Sequence, residues 1–134
     1  MRVYLPATWA DLAELAATGV LPAGTRPAHA VTDGVRAALA DCDEEEQEYA
    51  VVEVAAAGSA ASRRVVLVAE VADTAVDTVD ANAADDPSVV QVTVQIRRRD
   101  LAALLVDAEG ASPEDDLLWF GVQELADLLA DGDA

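Results

Sequence analysis

Lysine is missing altogether: the chain has 134 residues, its 8 basic side chains are all arginine, and 26 Asp and Glu bring the formal charge to -18. A body this negative repels phosphate backbones and anionic lipid surfaces, because affinity for either is drawn from neutralising charge with Lys and Arg. Nucleic acid and membrane are therefore not expected as partners. Cysteine occurs once, at Cys42, which excludes an intrachain disulfide and suits a reducing compartment. Histidine also occurs once, at His29, so a zinc site would need carboxylates to complete its ligands. No apolar run approaches the roughly 18 residues of a membrane span, and Met1-Arg2 leads into VYLPAT without a charged region followed by an apolar stretch. The expectation is a soluble, cytoplasmic protein.

The short motifs of common chemistries are missing too. GxGxxG and GxxxxGKS do not occur, so no glycine-rich loop cradles a phosphate, and no GxSxG turn exposes a serine. Cys42 stands among carboxylates, the reverse of the electropositive surroundings of a reactive cysteine. The acidic run from Asp41 to Glu48 lacks the glycine turn and spacing of a calcium loop. No cofactor, metal or catalytic residue is expected.

What remains is a well-filled globular pattern. The chain is 53% hydrophobic, and its mean hydropathy of +0.21 separates it from disordered acidic chains. One domain over residues 1–134 is the expectation at this length. Arg2 to Pro6 reads as a strand; Thr8 and Asp11 then form a capping box for a helix whose apolar face is Leu12, Leu15 and Ala16, closed by Gly19. LPAGTRPA reads as a loop, AHAV as a brief strand, and Thr32 as the cap of a helix carrying Val35, Ala38 and Leu39. Asp43 caps the next helix, with Glu44, Glu45 and Glu46 at the positive end of its dipole and Tyr49, Val52 and Ala56 at helical spacing.

VVLVAEVA is expected as a central strand covered on both faces, and ADTAVDTVDANAADDPS as a loop or irregular edge strand. VVQVTVQIR alternates, with Val90, Val92, Val94 and Ile96 on one side. DLAALLVDA then reads as a helix, LLWFGV as a last strand and QELADLLAD as a last helix. The fold class that follows is α+β, or α/β, with one small mixed sheet of about five strands and helices packed on it. DLAELA, DLAALL and ELADLL echo one another, but any short capped helix with leucines at this spacing looks alike.

MRVYLPAT, AVT before a helix, DEEEQEYA, RRVVLVAEV and LLWFGVQELADLL together resemble a family of small acidic actinobacterial proteins of unknown function. The resemblance implies no assigned site. VYLPATWADLAELAATGVLP is also similar in layout to the opening of ADP-ribosyltransferase-like domains, where the strand bears a ligand-facing His or Arg. This strand offers Tyr4, Leu5 and Pro6 instead, so a shared fold would imply lost chemistry.

Two features could still carry binding. Arg97, Arg98 and Arg99 are the densest positive charge in the chain; they either offset its own carboxylates or hold an anion. Trp119 and Phe120 are adjacent large rings on opposite faces of a strand, one for the core and one available as a partner anchor. The expected function is therefore non-enzymatic: binding of a protein partner, or homo-oligomerisation. The alternative is an ADP-ribosyltransferase-like or other nucleotide-handling domain, which would gather Tyr4, His29 and the arginines around one pocket.

Overall fold

The computed structural model describes residues 1–59, 63–78 and 86–131. Strand β1 (Arg2–Ala7) runs into helix α1 (Trp9–Thr18) through Thr8. The Thr8 hydroxyl accepts from the Asp11 amide and the Asp11 carboxylate accepts from the Thr8 amide, so two backbone donors that the helix start leaves free are satisfied. Gly19 ends the helix at φ 79°, a left-handed conformation that costs a residue without a Cβ nothing. Leu12 and Leu15 are fully buried, which contributes roughly 1.5 to 3 kcal/mol each.

β2 (Val20–Leu21) and β3 (Arg26–His29) follow, so the expected loop LPAGTRPA is strand at both ends. Pro27, which has no amide to donate, is tolerated because β3 meets β1 only at His29 and pairs elsewhere with β6 (Val89–Val92) alone. Helix α2 (Asp33–Ala38) is capped by Thr32, and α3 (Glu44–Ala57) by the Asp43–Glu46 box. Beyond them lie β4 (Val65–Glu70), β5 (Val76–Thr78), β6 (Val89–Val92), β7 (Ile96–Arg97), β8 (Leu101–Val106), β9 (Leu118–Phe120) and α4 (Leu125–Asp131).

The fold is α+β. Its sheet has seven strands rather than about five, in the order β5-β6-β3-β1-β4-β8-β9, while β2 and β7 form a separate two-stranded ribbon. Every pairing among the described residues is antiparallel, so the sheet is not mixed. The largest correction is β8: DLAALLVDA is a strand, not a helix. LAALLV is a continuous apolar run, and such a run suits a strand paired on both sides as well as it suits a buried helix. Asp100 caps a 3-10 turn before that strand rather than a helix. VVQVTVQIR is also not one strand: it leaves the sheet after Val92, Val94 is 38% exposed, and Ile96 re-enters the core from the ribbon. Of ADTAVDTVDANAADDPS, the part up to Thr78 holds a turn and the edge strand β5; residues 79–85 lie outside the described residues.

β4 is central as expected, with Leu67 buried on one face of the sheet and Val66 and Val68 on the other. The first face joins Val3, Leu5, Leu67 and Leu104 to α1, α4 and the ribbon. The second joins Tyr4, Val66, Val68 and Leu105 to α2 and α3.

Candidate functional site

On that second face, helix α3 covers β1, β3 and β4 and stops short of the β8–β9 side. A groove of about 920 Å³ is left between α3 and the segment 111–119. Tyr4 and Leu105 form its floor, Glu48, Tyr49 and Glu53 line it from α3, and Trp119 stands at its rim. The register explains the aromatic at the rim: Trp119 is directly opposite Leu105, which is opposite Val66, so all three project to one face. Trp119 is 64% exposed, while Phe120 packs against the core of the other face. The two rings thus divide as their alternation predicts.

Besides the pairing of its end with β8, segment 111–119 is tied to the body by side chains at two places. Arg64 makes the first, with its Nε and Nη2 donating to the two Asp107 oxygens at 2.8 Å each, and its Nη1 and Nη2 donating to the carbonyls of Pro113 and Asp115 at 3.1 and 2.8 Å. Burial pushes the Asp107 carboxyl up, but hydrogen bonds from the Arg64 side chain and amide outweigh it and hold the group below its usual range. The second tie crosses the groove: the Tyr49 hydroxyl donates to Asp116 Oδ1 at 2.6 Å. That hydrogen bond to a carboxylate pushes the Tyr49 phenol up to about 12.

Tyr4 differs from Tyr49. It is only 2% exposed yet lines the floor of the groove. Burial raises its phenol and Glu48 adds to the effect; Arg2, whose Nε is spent on Glu70 at 2.7 Å, partly offsets it.

The other sequence candidates lie elsewhere. His29 is directly opposite Tyr4 across β1 and β3, but it does not line the groove. Its Nδ1 lies 2.8 Å from Ser88 Oγ and 3.6 Å from Asp86, and the Ser88 hydroxyl donates to Asp86 Oδ1 at 2.8 Å. Serine and aspartate therefore share one ring nitrogen, whereas a nucleophilic triad places them on opposite nitrogens. Burial lowers the His29 imidazole, against an opposing effect of Asp86. Arg97 ends the ribbon strand β7, Arg98 and Arg99 follow it, and none of the three lines the groove. Arg97 pairs with Asp100 at 3.2 Å; Arg98 and Arg99 are exposed and form no ion pair among the described residues.

Sequence reasoning brought out Tyr4 and Trp119 but missed Tyr49, Asp116 and the Arg64–Asp107 tie. Of Tyr49, Val52 and Ala56, which share a helical spacing, Ala56 is buried and Val52 packs against the core, but Tyr49 is 50% exposed, and Gln47, Val51 and Ala55 complete the inward face. The available signal was Val51 with Ala55, which define a second stripe at i, i+4 that small residues allow to approach a sheet closely.

A model of a family of unknown function, DUF6912, matches residues 1–115. The match takes in β1 to β8 with α3 and ends before LLWFGVQELADLL. No curated protein and no solved structure matches the chain.

Proposed function

This chain belongs to the DUF6912 family of unknown function, and we propose that it is a non-enzymatic domain that binds a protein partner through the groove between α3 and segment 111–119. The observation that carries this reading is Trp119, a large aromatic ring held at 64% exposure on the rim of an otherwise framed groove. Tryptophan is the residue most enriched at binding hot spots, and a ring left in water beside a concave surface is the arrangement that rewards a partner for covering it. A nucleotide-handling reading needs Tyr4, His29 and Arg97 to Arg99 around one pocket; of these only Tyr4 lines the groove, and no observation favours that alternative.

The test is affinity purification from the native host with wild type and Trp119→Ser, followed by reconstitution of each captured protein with purified components. Hydrogen exchange on the reconstituted pair is expected to slow over residues 45–56 and 111–120. A partner that binds both forms equally and protects a different surface would displace the groove from this role.

A further inference from the structure

The groove is charged in one sense. Seven carboxylates line it against two arginines, and both arginines are already committed: Arg64 to Asp107, Arg2 to Glu70. The exposed carboxylates on the two walls include Glu45 and Glu53 on one side and Asp115 and Asp116 on the other. Acidity alone selects nothing in a chain charged this strongly. The second observation is the concavity itself, about 920 Å³ with Tyr4 on its floor. Glu48 and Arg2 both act on the Tyr4 hydroxyl, whose lone pairs can accept from an incoming N–H donor. Tyr49 and Trp119 add two exposed aromatic rings at the same opening, surfaces against which a guanidinium or ammonium is held by the ring quadrupole.

Resting on the protein-binding reading above, we propose that the occupant is an arginine- or lysine-bearing segment of the partner. Its cationic head lies between the α3 carboxylates and Asp116, donates to the Tyr4 hydroxyl, and lays its aliphatic stem along Trp119. A second copy of this chain is a poorer occupant, since two bodies of charge -18 repel before any groove is filled.

The probe is a fluorescein-labelled peptide of alternating alanine and arginine, with its citrulline counterpart as the uncharged isostere, titrated by anisotropy into the full chain at about 150 mM salt. Wild type is expected to bind the arginine peptide and not the citrulline one. Trp119→Ser and the pair Glu48→Gln with Glu53→Gln are each expected to weaken binding at least about tenfold. Tyr4→Phe, which keeps the buried ring, is expected to weaken it about threefold. The pair Glu14→Gln with Asp127→Asn removes equal charge from α1 and α4 and is expected to change it less than about twofold.

Equal losses in the two charge pairs would reduce the effect to diffuse attraction and overturn the proposal. Binding of the citrulline peptide, or of free spermine as tightly as the peptide, would overturn it as well. If the arginine peptide does not bind while the captured partner still depends on Trp119, the cationic occupant falls and the protein-binding reading stands. If neither depends on Trp119, both fall.

Discussion

Val3, Leu5, Leu67 and Leu104 on one face of the sheet meet two helices and a ribbon, while Tyr4, Val66, Val68 and Leu105 on the other meet α2 and α3 and then run out of cover towards β9. The first arrangement is sequence-local in its supply: α1 follows β1 directly, and its leucines lie beside the strand that introduced them. The second is not. Its open side is framed by a loop some fifty residues away from the helix it faces, joined to it by the Tyr49–Asp116 hydrogen bond and to the strands by Arg64. Free energy of folding is thus concentrated on one face, and concave, wet surface on the other.

Substitutions at matched positions sharpen this contrast. Leu67→Ala on the covered face leaves a cavity between α1 and the sheet and is expected to cost about 3 kcal/mol in denaturant unfolding. A value below 1 would mean that the two faces do not differ in packing as described. Asp107→Asn, at the foot of the open face, is expected to cost about 2 kcal/mol at neutral pH, because charge-assisted bonds to Arg64 are weakened. Its sign with pH is fixed by the direction of the shift. The folded carboxyl is held below its ordinary 3.8, so its stabilisation is complete above that value and is lost as pH falls through the folded value. The difference between wild type and Asp107→Asn should therefore shrink in acid; a constant difference from pH 7 to pH 2 would contradict the tie.

Trp119→Ser is expected to cost about 1 kcal/mol or less, since most of the ring is already in water, and to leave the far-ultraviolet spectrum unchanged. A loss as large as that of Leu67→Ala would make Trp119 a structural residue. The smallest effect is expected from Arg98→Gln. With no ion pair among the described residues to break, it removes general relief of repulsion, so a slight loss at low salt should vanish at high salt. A loss that survives high salt would reveal a specific contact at the ribbon.

How far these features could be read in advance depended on the range over which they are determined. Thr8 with Asp11, Gly19, Thr32 and Asp43 with Glu46 act within one helical turn, and each does in the fold what its spacing implies. β4 was legible because seven of the eight residues in VVLVAEVA are apolar and its first five are buried without alternation. β8 was not, because LAALLV satisfies both a helix face and a doubly paired strand, and only partners far along the chain decide between them. Val94 shows the same limit: its alternation with Val92 and Ile96 is perfect in the sequence, yet the backbone turns between them. Of the candidate site, Trp119 was visible as a rare aromatic and Tyr4 as a residue of the opening strand. The groove itself was not, since residues 4, 49, 105, 116 and 119 converge only after the sheet is assembled.

Arg64 grips its loop mainly by the main chain. It reaches the carbonyls of Pro113 and Asp115, and the side chain of Glu114 between them takes part in none of the hydrogen bonds that hold the segment. A backbone grip is indifferent to side-chain identity, so Glu114 can be exchanged without loosening the wall that carries it, whereas Asp115 and Asp116 hold that wall by their own carboxylates. Partner preference can then drift during evolution, or be reprogrammed by design, at little expense in folding: the loop behaves as an interchangeable tool head on a fixed handle.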